Sequence, residues 1–135
     1  MLKIRSITLH LPTELLIGGT FNSKDIENFF INASKEFNEG NILIRTKRIN
    51  TDPINCLEEF DCFKVLSIVK KVDDACKASG VRWFNIPFDF AKSNKSDLDS
   101  VSSVILDIVR NFPNSFINNI VADCDGVNLR AVDEV

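Results

Sequence analysis

Along this chain the hydrophobic period switches repeatedly between two residues and about 3.6, the signatures of strand and helix, and that alternation restricts the fold more than any single motif. Lys3 to Leu11 alternates, with Arg5, Ile7, Leu9 and Leu11 to one side and Ile4, Ser6, Thr8 and His10 to the other, as a strand requires. Pro12 ends it. After a loop holding Gly18-Gly19-Thr20, which has no Lys and does not open the helix as a phosphate loop would, Asn22 or Ser23 can cap a helix. Its stripe is Ile26, Phe29, Phe30, Ala33 and Phe37, and Gly40 stops it.

The pattern then repeats. Ile42 to Ile49 reads as a second strand; Asp61 caps a helix with the stripe Cys62, Val65, Leu66, Val69, Val72 and Cys76, ending at Gly80. Val81 to Phe88 is the third strand. Ser96 and Asp99 form an aspartate variant of the capping box ahead of a third helix, with Leu98, Val101, Val104, Ile105, Ile108 and Phe112 inward and Pro113 as its end. Ser115 to Ala122 is the fourth strand, and Asn128 caps a fourth helix that has hardly begun at Val135. The order β-α-β-α-β-α-β predicts an α/β fold with a parallel sheet of four strands, because parallel neighbours need crossover connections. Within 135 residues this is one α/β domain, 1–135.

Composition narrows the chemistry. A net charge of −3 and a pI near 5.1 argue against nucleic acid and anionic membranes as partners. The acidic excess lies in residues 97–135, which hold two basic and seven acidic side chains. One His and no Tyr exclude sites built from several imidazoles or a phenolic acid. No apolar run nears the ~20 residues that cross a bilayer, and no signal-peptide core opens the chain. Cys56, Cys62, Cys76 and Cys124 lack Cys-x-x-Cys spacing and read as reduced thiols of a cytoplasmic protein. Nothing in the sequence calls for a metal or cofactor.

Four segments, in order, carry a family resemblance: Lys3-Ile4-Arg5-Ser6-Ile7-Thr8-Leu9; Arg45-Thr46-Lys47-Arg48-Ile49-Asn50-Thr51-Asp52-Pro53; Gly80-Val81-Arg82-Trp83-Phe84-Asn85-Ile86-Pro87; and Ile120-Val121-Ala122-Asp123-Cys124-Asp125-Gly126-Val127-Asn128-Leu129-Arg130-Ala131-Val132. Together they resemble the N-terminal part of the family known as domain of unknown function 711. The resemblance implies an incomplete α/β barrel of the pyruvate formate-lyase-like type, the N-terminal portion of a larger barrel. It does not imply radical chemistry: the glycyl-radical loop, with its Arg-Val-x-Gly signature, and the adjacent pair of catalytic cysteines have no counterpart here. No reaction is carried over, and whether the chain is an enzyme stays open.

In parallel α/β sheets, ligands bind outside the carboxyl ends of the strands. That rule selects His10, Arg48, Asn50, Asn85, Asp89, Asp123 and Asn128. His10 is the candidate catalytic residue, as general base or hydrogen-bond partner, unless it is simply a strand-end side chain. Arg48 can clamp a carboxylate or phosphate, or lie on a wet surface; Asn50, Asn85, Asp123 and Asn128 complete the candidate ligand set. Asp123-Cys124-Asp125-Gly126 lacks the remaining ligands of a calcium loop and reads as a turn. Cys62 and Cys76 fall on a helix stripe and are expected in the core; Phe63, Phe88 and Phe90 fall off the pattern and are candidates for contact with missing structure or another chain. The expected function is binding of a small anionic metabolite at the strand ends. The alternative is a non-catalytic assembly subunit, completed by homo-oligomerisation or by a separately encoded second-half polypeptide.

Overall fold

The computed structural model describes the backbone of residues 2–18, 21–56, 61–91 and 95–134, and all their side chains except those of 56, 95–97 and 134. Gly19, Thr20 and the capping side chain expected at Ser96 lie outside the described residues. The elements run β1 (Leu2–Ile4), β2 (Ile7–Leu11), α1 (Thr13–Ile17), α2 (Ser23–Glu39), β3 (Ile42–Ile44), β4 (Lys47–Thr51), a 3-10 turn (Ile54–Cys56), α3 (Cys62–Ser79), β5 (Trp83–Asp89), α4 (Lys95–Asn111), β6 (Ser115–Ile120), β7 (Ala122–Asp123), β8 (Gly126–Val127) and α5 (Leu129–Glu134). The fold is mixed α/β around a parallel four-stranded sheet, ordered β2-β4-β5-β6.

The expected strands over 3–11 and 42–49 are each broken once. β1 pairs with β3, and β2 with β4, as separate ladders, yet Leu2 opposes Ile42 and Ile7 opposes Lys47, so the register never slips. The breaks fall side by side at 5–6 and 45–46. There the Arg45 N–H donates to the Ile4 carbonyl, the Ile7 N–H to the Thr46 carbonyl, and the Thr46 hydroxyl to the Arg5 carbonyl at 2.6 Å. Two strands that bend together keep their backbone groups satisfied.

Helix ends follow local chemistry. Asn22 accepts the Lys24 N–H and caps α2; Asp61 accepts the N–H groups of Phe63 and Lys64 and caps α3. Gly80 closes α3 in a left-handed conformation, φ 64°, which glycine adopts without strain. Asn128 caps α5 by accepting the Ala131 N–H. The short α1 is held at its far end by Lys71 of α3, whose ammonium donates to the Leu16 carbonyl.

The helices cover one face of the sheet. Ile49, Phe84, Ile86 and Phe88 point into a core shared with Phe30 of α2, Val65, Val69 and Val72 of α3, and Leu98, Val104 and Ile108 of α4. Alternation sends Thr8, His10, Arg48, Asn50 and Asn85 to the opposite face.

Four expectations about burial need correction. Phe29, placed on the α2 stripe, is exposed at its flank, while the adjacent Phe30 is fully buried. Cys62 begins α3 and is exposed, while Cys76 is buried; the stripe reaches the core only once the helix has passed its first turn. Phe88 and Phe90 are fully buried and stacked, with ring centroids 6.1 Å apart. The 3-10 turn and α5 close over the end of β5: Asn55 brackets the Asp89 backbone, donating to its carbonyl and accepting its N–H, and the Asn128 amide donates to the Phe90 carbonyl. Of the three off-pattern phenylalanines only Phe63 is open to solvent, at 85%. Phe84→Ala should therefore cost about 3–5 kcal/mol, and Phe63→Ala less than about 0.5 kcal/mol, as read from urea denaturation. Equal losses would contradict this placement of the core.

Candidate functional site

The site is a single row of side chains across three neighbouring strands. His10 of β2 lies opposite Asn50 of β4, and Asn50 opposite Asn85 of β5. Because paired residues in parallel strands stand side by side on one face, the row is a consequence of register. Asn50 Nδ2 lies 3.2 Å from His10 Nδ1, and Asn85 Nδ2 donates to Asn50 Oδ1 at 2.5 Å. Beyond β4 the chain turns, and Asp52 Oδ1 meets His10 Nε2 at 2.8 Å. The other carboxylate oxygen accepts the Thr13 N–H at 3.1 Å and the Thr13 hydroxyl at 3.4 Å.

These contacts fix charge and proton positions. The Thr13 backbone N–H, more than the His10 contacts, holds the Asp52 carboxyl below its ordinary value of 3.8, against an opposing effect of burial. Asp52 is thus a carboxylate at neutral pH, which accepts and cannot donate, so the proton between it and His10 belongs to Nε2. In neutral His10, Nδ1 is then an acceptor and takes the Asn50 amide hydrogen. Both ring nitrogens are engaged, so in this arrangement His10 orients its neighbours and has no nitrogen open to abstract a proton. The His10 and Asp52 side chains are 51% and 42% exposed, so their pairing sets geometry more than it stabilises the fold.

The row forms one side of a groove of about 660 Å³ on the sheet face that no element among the described residues covers. Thr8, Arg48, Trp83, Phe116 and Asn118 line it together with His10, Asn50 and Asn85. Trp83 and Phe116 pack at 5.1 Å between ring centroids, tilted by 56°, and make an aromatic wall; the Arg82 guanidinium lies 4.6 Å from the centre of the Trp83 ring. Arg48 lines the groove without a hydrogen bond, ion pair or ring contact among the described residues. A few polar groups converging beside an aromatic wall are the usual make-up of a small-molecule site.

Of the expected site residues, His10, Arg48, Asn50 and Asn85 come together. They do so on the open face along the strands, with Arg48 near the start of β4, and not only at the carboxyl rim. Asp89 accepts the Ala91 N–H next to the Asn55 contacts. Asp123 and Asn128 lie elsewhere, in a separate shallow depression with Ala91 and Asp125. Asn128 is occupied by the α5 cap and by the Phe90 carbonyl. Asp123 accepts the Asp125 N–H in the tight β7–β8 hairpin, where Gly126 takes φ 143°; the ligand atoms of Asp123, Cys124 and Asp125 fall within 4.8 Å of one another there, all exposed. The Cys76 thiol, far from the groove in the core, is pushed up to about 12 by burial and by Asp73, so it is not a nucleophile.

Asp52, Thr13, Trp83, Phe116 and Asn118 were not among the expected site residues. Asp52 had a signal: two residues past Asn50, it is carried beside His10 by the same register that pairs β2 with β4. No family model matches the chain, and no curated protein matches it. Among the described residues no helix is long and apolar enough to cross a membrane.

A carboxylate whose folded pKa is depressed adds stability above its unfolded value, and that stability is lost as pH falls through the folded value. Asp52→Asn should therefore destabilise the chain slightly near neutrality, and its difference from wild type should disappear as pH falls below 3.8. Urea denaturation across that range checks this; a difference independent of pH would contradict the ionised, Thr13-bound Asp52.

Proposed function

We propose that this chain is part of an α/β barrel of the pyruvate formate-lyase-like type, related to the domain of unknown function 711 family, and that its open sheet face binds a small anionic metabolite. The barrel reading is supported by topology. A doubly wound sheet reverses its strand order and takes helices on both faces; here the order is sequential, β2-β4-β5-β6, and α2, α3 and α4 form one layer. Barrels keep that order with helices outside and a side-chain-lined interior. The uncovered groove would be the interior surface.

The observation that carries the binding reading is Arg48, a guanidinium without a partner among the described residues, beside a row whose orientation is already set. A fork of donors over an aromatic wall suits a carboxylate or phosphate on a small organic body. His10 and Asp52 act as positioning residues for the row, and the reaction, if one occurs, is left to groups that complete the groove. Titration with short carboxylates and phosphates, followed by calorimetry or amide NMR shifts, tests this. Binding should weaken about tenfold to a hundredfold in Arg48→Ala, as loss of a charge-assisted contact predicts; no binding, or binding indifferent to Arg48, would overturn it.

A second reading, an assembly subunit completed by another copy or by a separate second-half polypeptide, is favoured by what flanks the open face. Among the described residues β2 and β6 are the unpaired edges of the sheet. Near β6 the side chains of Phe116, Ile120, Val127, Leu129 and Val132 are exposed, and edges with apolar borders invite pairing. Light scattering over a range of concentrations decides it: self-association should deepen with concentration and fall in Phe116→Lys, whereas an unchanging monomer would exclude the self-completed form.

A further inference from the structure

Resting on the proposed anion site, we infer that its ligand carries an O–H or N–H donor in addition to its anionic group, and that Asn85 Oδ1 receives it. The direction of the hydrogen-bonded row leads to this. With His10 neutral, Asp52 can only accept, so Nε2 donates to it; Nδ1 then accepts from Asn50 Nδ2, and Asn50 Oδ1 accepts from Asn85 Nδ2. Each amide is turned by the one before it. Rotating Asn85 would set its oxygen against the Asn50 oxygen, and rotating Asn50 to relieve that would set an oxygen against the bare Nδ1 of His10. The carboxylate at one end, with a neutral imidazole beside it, therefore dictates an acceptor at the other.

That acceptor has no protein partner. Asn85 Oδ1 is shielded from solvent and makes no hydrogen bond among the described residues, although Asn85 lines the groove. A shielded carbonyl oxygen without a donor is unfavourable, and a ligand that supplies one gains what the protein lacks. Arg48 stands one row back on the adjoining strand, on the same face, so its Cα is roughly 8 Å from that of Asn85 by ordinary sheet spacings. A short molecule with an anion at one end and a hydroxyl or amine a few bonds away spans the two. The same anion without the donor leaves Oδ1 unsatisfied.

The experiment titrates the wild-type chain at about pH 8, where imidazole is neutral, with matched sets by calorimetry: propionate against lactate and alanine, and propyl phosphate against glycerol 3-phosphate. The hydroxy or amino member of a set should bind about tenfold tighter than its plain partner, the scale of one well-made hydrogen bond. In Asn85→Ala that ratio should fall to near one. Lactate and alanine separate hydroxyl from amine as the preferred donor. Equal binding within every set, still weakened by Arg48→Ala, would overturn the inference and leave the anion site standing; binding of none of the probes would overturn both. The wild-type comparison needs no variant to fold.

Discussion

Ile49, Phe84 and Ile86 lie out of water in the core shared with α2, α3 and α4, and each is followed or preceded along its strand by a residue that must face the other way. With α2, α3 and α4 gathered on one side, burial of that face fixes register, since a slip of one residue would turn Ile49 into solvent and Asn50 into the core. Register in turn sets His10 beside Asn50 and Asn50 beside Asn85. The polar row is thus a by-product of apolar packing on the opposite side. Its precision comes from the core, and its chemistry from residues that contribute little to stability.

Asp52 then gives the row a direction. The Thr13 N–H and hydroxyl hold one oxygen and keep the carboxyl ionised, and the other oxygen faces His10. With the imidazole neutral, the proton on Nε2 and the turn of both amides follow from that single charge. Arg48, one row back, is the complementary element: a cation with nothing of its own to bind among the described residues. The groove therefore combines an ordered set of dipoles, a positive charge unpaired among the described residues and the Trp83–Phe116 wall.

Much of this was legible in the sequence. The stripe Val65, Val69, Val72 and Cys76 and the caps at Asn22, Asp61 and Asn128 are local signals, and the helices they mark are present. The rule that ligands bind at strand carboxyl ends also put His10, Arg48, Asn50 and Asn85 among the candidates. What could not be read was decided by distant partners. The breaks at 5–6 and 45–46 depend on Thr46 meeting the Arg5 carbonyl across forty-one residues. Phe88 and Phe90 are buried because a 3-10 turn and a C-terminal helix, far along the chain, close over the end of β5. Asp123 and Asn128 follow the last long strand, but a two-strand hairpin carries them away from the groove, and strand-end rules do not foresee hairpins.

Asp52 fixes the proton of neutral His10 on Nε2 and so orients the whole row. His10 is the chain's single histidine, so its ring nitrogens can be followed without ambiguity in a long-range nitrogen-proton NMR spectrum. With the imidazole neutral, at about pH 8, the account predicts a protonated Nε2 and a bare, hydrogen-bond-accepting Nδ1, with a shift toward mixed tautomers in Asp52→Ala. A proton on Nδ1, or a tautomer mixture in the wild type like that of free imidazole, would contradict it.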